Sequence, residues 1–220
     1  MAVPASVEER RAALEALRRE AESCRRCDLW RDATQLVFGE GPVDAPAMLV
    51  GEQPGDVEDR TGRPFVGPAG RVLDRALAEV GLERERLYIT NAVKHFKFSS
   101  RGRRRIHQKP DVGEIEACRV WLLREIEIVD PPVVAALGAT ALRALTGRVT
   151  AVTRLRGRFL SWEGRELFVT VHPSSILRIE DEAAQERAYA AFRADLVKLA
   201  ARLRNEAPGV TPPAQGRLFG

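Results

Sequence analysis

Histidine is scarce in this chain, and two of its three histidines fall in one stretch, Asn91 to Pro110 (NAVKHFKFSSRGRRRIHQKP). An imidazole serves as base, nucleophile or metal ligand according to its surroundings. Here His95 and His107 stand among lysines, arginines and the aromatic pair Phe96 and Phe98. A basic surface with interleaved aromatics is the pattern of a loop facing nucleic acid; a solvated basic loop is the plain alternative. The third histidine, His172, opens the segment His172-Pro173-Ser174-Ser175. In GEQPGD, two acids and an amide (Glu52, Asp56 and Gln53) sit beside Gly51 and Gly55. A carboxylate there can stabilise a cation or orient a water, and glycine lets a ligand approach the backbone. Cys24 and Cys27 form a C-x2-C pair, and Cys118 lies much further on. Such a pair puts two thiolates on one tight turn, which is half of a metal site, and thiolate-rich sites suit zinc or an iron–sulfur cluster. A structural zinc site of three cysteines and one histidine stays open, as does Cys118 as a small buried hydrophobe.

These groups need elements to hold them. Short apolar runs at 47–50, 87–90, 133–137 and 167–171 read as strands. Helical patterns cover 7–22, 71–80, 113–129, a segment after Thr140, and 181–204, while 151–168 reads as an extended hairpin or edge with turns at Gly157 and Gly164. Strands alternating with helices predict an α/β fold: a three-layer α/β/α sandwich with a central, mostly parallel four-stranded sheet. In such sheets ligands bind beyond the carboxyl ends of the strands. Glu52, Gln53 and Asp56 follow the first strand, Asn91 the second, His172 and Ser174 the fourth. The pattern predicts one cleft holding two carboxylates, two amides and a histidine, with the basic loop beside it.

A length of 220 residues fits one domain, residues 1–205, followed by a Pro-, Gly- and Ala-rich tail, 206–220, expected to be disordered. The net charge of +4 permits nucleic-acid binding without establishing it. No apolar run approaches the ~20 residues of a membrane span, and the start lacks a signal peptide's apolar core. The expectation is a cytoplasmic monomer with no membrane partner. In that reducing compartment an odd number of cysteines argues for ligation rather than disulfides.

Four segments together, GEQPGD, PFVGPAGRVLD, YITNAVK and VHPSS, resemble the uracil-DNA glycosylase superfamily over most of residues 20 to 200. The early C-x2-C and later cysteine look like its iron–sulfur branch, family 4. GEQPG in place of GEAPG, and the basic insertion Arg104-Arg105-Ile106-His107, look like the UdgX group within that branch. Family 4 has a cysteine after the NxVK run, where this chain has His95. The resemblance therefore implies a structural [4Fe–4S] cluster held by Cys24, Cys27, Cys118 and, by position, His95.

It also implies roles. Uracil excision breaks the bond from N1 to the deoxyribose C1′, leaving a cationic sugar and an anionic base, so the enzyme must flip, stack and read the base and stabilise both charges. Phe65 matches the stacking residue, and Asn91 the amide that reads the pyrimidine edge. Gln53 would offer its backbone N–H or side chain to the base, and His172, in its segment with Ser174, would donate to O2. Glu52 and Asp56 are the acids for the sugar side, Glu52 favoured. His107 matches the histidine that attacks C1′ and leaves the protein covalently joined to the abasic DNA; Glu52 is the acid expected to keep it neutral or take its proton. Arg103, Arg104 and Arg105 would pair with phosphates, and Ile176 matches an apolar wedge inserted into the duplex.

The partner implied is uracil-containing DNA, single-stranded by preference. The tail ends QGRLF, in which Gln215, Leu218 and Phe219 look like a sliding-clamp binding peptide. Two alternatives stand beside this reading. One is a conventional multi-turnover family 4 glycosylase in which His107 only contacts phosphate. The other is a non-catalytic DNA-binding module with a structural zinc.

Overall fold

The computed structural model describes residues 6–102 and 104–205. Arg103 and the tail residues Gln215, Leu218 and Phe219 lie outside the described residues.

The first helix, α1 (Val7–Glu22), is started by a reciprocal cap in which Ser6 accepts from the Glu9 N–H and Glu9 accepts from the Ser6 N–H. Cys24 and Cys27 follow it. The central strand, β1 (Ala47–Gly51), is buried at every residue. Beyond it come the short helix α2 (Asp56–Thr61) and α3 (Pro68–Glu79), opened by a proline at its first turn. The next elements are β2 (Tyr88–Asn91), β3 (Phe98–Arg101), β4 (Arg104–His107) and α4 (Val112–Val129). Then follow β5 (Val133–Leu137), α5 (Ala139–Thr146), the single turn α6 (Val152–Leu155), β6 (Arg158–Trp162) and β7 (Arg165–Thr170). The described chain ends with α7 (Pro173–Leu177) and α8 (Glu182–Asn205).

The sheet runs β2-β1-β5-β7-β6. It has five strands, not the four expected. The extra strand, β6, comes from the segment read as a hairpin or edge, and pairs antiparallel with β7. The other pairings are parallel. Val171 lies beyond β7 rather than inside it. Strand residues alternate between two apolar clusters. Met48, Val50, Val134 and Ala136 pack with residues of α1, α4 and α5; Leu49, Ala135, Leu137 and Phe168 pack with α3, α7 and α8. A sheet covered on both faces explains why the strands read as continuous apolar runs.

The basic stretch is more ordered than a loop. β3 and β4 form an antiparallel hairpin that, among the described residues, pairs with no other strand, with Phe98 opposite His107.

Candidate active site and cysteine pocket

The carboxyl ends of the parallel strands open into a pocket of about 410 Å³. Glu52, Gln53, Asp56, Phe65, Asn91, His107, His172 and Ser174 all line it. The cleft predicted from strand ends therefore exists, and the histidine hairpin overhangs it.

Its wall is built around Gly51. A Cβ there would come within 2.4 Å of Asn91 Oδ1 and 2.5 Å of the Phe65 ring, so glycine is what lets ring and amide meet at the strand end. Phe65 itself has φ 54, a left-handed conformation that a bulky residue adopts only when its surroundings impose it. Gly70 of α3 packs against the Phe65 carbonyl, where a Cβ would sit 1.9 Å from the oxygen. The buried Glu58 carboxylate accepts from the Gly67 and Gly55 N–H groups at 2.8 and 3.1 Å, tying the two loops of the pocket together.

Two polar atoms in this wall are buried and without a partner: Asn91 Oδ1 and His172 Nε2. For His172 the tautomer follows from the other nitrogen. Nδ1 accepts from the Ser174 N–H at 3.2 Å and lies 2.9 Å from Ser174 Oγ, so the neutral ring carries its proton on Nε2. Burial first, then the charges of Arg178 and His107, bring His172 down to about 4. The pocket thus presents one unpaired acceptor and one unpaired donor on a neutral imidazole, with the Phe65 ring 5.6 Å from the histidine ring. Ser174 acts on His172 rather than facing the pocket alone; Arg178, which donates to Ser174 Oγ at 3.1 Å, also lines the cavity.

Glu52 accepts from Thr140 Oγ1 at 2.5 Å through one oxygen, and its other oxygen lies 3.5 Å from His107 Nε2. Burial lowers the His107 pKa, while Glu52 pushes it up. Burial therefore keeps this imidazole neutral; Glu52, expected to help do so, instead favours its charged form.

Several expected contacts are made differently. Gln53 is buried and its side chain is fully engaged by the hairpin: Nε2 donates to the Lys97 and Gln108 carbonyls at 3.2 and 2.9 Å, and Oε1 accepts from the Lys97 N–H at 3.0 Å. Only its main chain remains for a ligand. Asp56 pairs with Arg60 and Arg105; the Arg60 hydrogen bond, more than any other cause, holds its carboxyl below the usual range. Arg105 points inward, not to solvent. It contacts Asp56, bonds Asp59 at 2.6 Å, and sits over the Phe96 and Phe98 rings at 5.4 and 5.0 Å. It fixes the hairpin and is not available to a phosphate, whereas Arg104 is exposed. Ile176 is 3% exposed and belongs to the core, because α7 turns it toward Phe192 and Leu196. Its neighbour Leu177 is 44% exposed and lines the pocket, so any apolar wedge is shifted by one residue.

The sequence reading missed Thr140, Asp59 and Leu177. Thr140 lies just past the end of β5, the same kind of position that flagged the others, so its signal was present. Asp59 carried none, because its role exists only once the hairpin is docked.

Cys24, Cys27, His95 and Cys118 line a second pocket, between the end of α1, the turn after β2 and α4. Trp121 Nε1 donates to Cys24 Sγ at 3.1 Å and the Lys94 N–H to Cys118 Sγ at 3.2 Å. Burial pushes the Cys118 thiol up to about 12, so a thiolate there depends on a bound cation. Among the described residues no three His, Cys, Asp or Glu side chains converge as a single metal ion requires. The four donors line one pocket that, as it stands, is too tight for a water molecule.

The profile of the uracil DNA glycosylase superfamily matches residues 38–197. A Type-4 uracil-DNA glycosylase of Thermotoga maritima is 41% identical over 167 residues, 75% of this chain and 83% of that protein. One of Sulfurisphaera tokodaii is 37% identical over 173 residues, 74% of this chain and 76% of that protein. A Type-5 uracil-DNA glycosylase of Pyrobaculum aerophilum is 31% identical over 170 residues, 69% of this chain and 71% of that protein.

Proposed function

This chain belongs to the uracil-DNA glycosylase superfamily, and from that premise we propose that it excises uracil from DNA and is then captured by its own product through His107. The observation that carries the excision step is the pair of unpartnered pocket atoms. Asn91 Oδ1 accepts from uracil N3–H while its amide nitrogen donates to O4, and His172 Nε2–H donates to O2. Phe65 stacks on the base, and the Gln53 main chain completes the edge contacts. As the N1–C1′ bond breaks, its electron pair goes to the base. A neutral imidazole donor beside O2 stabilises that charge without giving up its proton.

The capture step rests on the placement of His107 Nε2 against Glu52 in the same pocket. With its proton on Nδ1, the neutral ring adds the Nε2 lone pair to the cationic C1′. The imidazolium so formed is paired with the Glu52 carboxylate and releases the Nδ1 proton to solvent. Uracil takes a proton at N1 from solvent. Glu52 thus stabilises positive charge first on the sugar and then on the ring, and Thr140 orients it. Asp56 serves the hairpin rather than the sugar. The proposal is therefore of a UdgX-like member of the superfamily.

We assign a [4Fe–4S] cluster to the second pocket from the chemistry of its donor set. Three cysteines and His95 lining one pocket, with main-chain and indole N–H groups on two sulfurs, suit a cluster whose ligands bind separate irons better than a lone zinc. When bound, the cluster supplies a structural tie between the end of α1, the turn after β2 and α4. Arg104 and Leu177 are the DNA contacts this surface favours.

The test is a denaturing gel of the protein with a labelled single-stranded uracil oligonucleotide, wild type beside His107→Ser. A band of protein-plus-DNA size in the wild type alone establishes both steps. Cleavable abasic product without such a band leaves a recycling glycosylase, and no base release overturns the assignment.

A further inference from the structure

The uracil pocket leaves unexplained a charged pair behind β2. The side chains of Lys94 and Glu125 are both 0% exposed and in direct contact. A buried ion pair contributes little net stability compared with a packed apolar pair, so its presence calls for another reason. Lys94 has three ammonium protons and the site holds three acceptors for them: Glu125 Oε2, Thr90 Oγ1 at 2.6 Å and the Asn91 main-chain oxygen at 2.9 Å. Glu125 in turn accepts from Thr90 Oγ1 at 3.0 Å, Tyr88 Oη at 3.1 Å and the Gly39 N–H at 2.9 Å. Two of the three lysine acceptors are therefore the last two residues of β2.

β2 is an edge strand. Its inner side is laddered to β1, with Asn91 opposite Gly51. On its outer side Glu40 bridges Ile89. Beyond that bridge the Asn91 carbonyl takes its hydrogen bond from the Lys94 ammonium. The main-chain N–H of the same lysine donates to Cys118 Sγ. One residue thus joins the cysteine pocket to the strand end that carries the base-reading amide.

We propose that Lys94, held by Glu125, is a positioning residue for base recognition: it fixes the end of β2 so that the Asn91 amide meets the N3–H edge of uracil. The inference rests on the reading of Asn91 given above. It differs from a purely structural role in what it predicts. A structural pair matters through folding, and a neutral network that restores folding restores everything. A positioning lysine leaves a defect in recognition after folding is restored.

The experiment compares wild type, Lys94→Met and the double variant Lys94→Met/Glu125→Gln. The double variant removes both charges but keeps a side chain able to accept from Tyr88 and Gly39. Melting temperature is recorded, and excision is inhibited with free uracil or with 3-methyluracil, which lacks the N3 proton. Wild type prefers uracil. The double variant recovers most of the melting temperature lost by Lys94→Met, yet its preference for uracil over 3-methyluracil falls roughly tenfold, the worth of one net hydrogen bond. A double variant with the wild-type preference overturns the inference while leaving the Asn91 reading intact. A wild type with no preference overturns the Asn91 reading and the inference with it.

Discussion

Gln53→Ala removes the clasp that holds the histidine hairpin over the pocket. The side chain makes three hydrogen bonds to the residues flanking the hairpin, two to the Lys97 main chain and one to the Gln108 carbonyl. A neutral hydrogen bond contributes about 1 kcal/mol net, and water takes over part of that at the exposed hairpin base, so the three together are worth roughly 1.5–3 kcal/mol. Because β3 and β4 pair only with each other, the loss falls on local opening of the hairpin and not on the sheet. At about 1.4 kcal/mol per decade, the closed-to-open equilibrium constant of the hairpin drops roughly 10–100-fold. The assay is single-turnover reaction of excess protein with uracil DNA, quenched in detergent to count adduct and in alkali to count abasic sites. Adduct formation falls, by up to that factor. Base release, which the proposal assigns to Phe65, Asn91 and His172, falls much less, so free abasic DNA accumulates. Hydrogen exchange at residues 97–108 accelerates. If adduct keeps its wild-type rate, or adduct and base release fall by the same factor, the clasp has no part in capture.

Thr140→Val removes the donor to Glu52 and lowers the excision rate by at least about tenfold at unchanged melting temperature, measured by alkaline cleavage. His172 has a folded-state pKa near 4 against an ordinary 6.5, so the unfolded chain binds a proton first as pH falls. Stability is therefore complete above pH 6.5 and lost between there and pH 4, by up to about 3 kcal/mol; melting temperature against pH for wild type and His172→Gln reads it directly. His107 is also depressed, so the rate of adduct formation stays level as pH drops to 6.5 and declines only below it; a midpoint above 6.5 contradicts a nucleophile kept neutral by partial desolvation. Cys118→Ser lowers the iron and acid-labile sulfide bound per chain, measured by metal analysis and visible absorbance.

The parallel core was legible because β1 and β5 are buried at every residue and carry unbroken apolar runs. The pocket was legible for a related reason: Glu52, Asn91 and His172 stand where such runs stop, and a parallel sheet brings all its strand ends to one side. β6 was harder, since its outward residues are polar and its pairing is set by β7 rather than by its own pattern. The directions of Gln53, Arg105 and Ile176 were not legible at all. Each depends on a contact far along the chain: Gln53 on Lys97 and Gln108, Arg105 on Asp59, and Ile176 on α8. A motif gives a residue's address but not which way its side chain faces.

The two-stranded hairpin stands apart from the sheet that builds the base-reading wall. It hangs from that wall at two points, the Gln53 amide and the Arg105 guanidinium with its Asp56 and Asp59 partners. The apolar clusters of the domain contain none of its residues, although the buried Asp59 takes Arg105 as its partner. A recycling glycosylase and a self-trapping one can therefore share one scaffold and differ by an appendage with its two sockets. A hairpin like residues 97–108 aims its histidine only on a scaffold that also carries counterparts of Gln53, Asp56 and Asp59; the histidine alone, without them, arrives on a loop with no fixed aim.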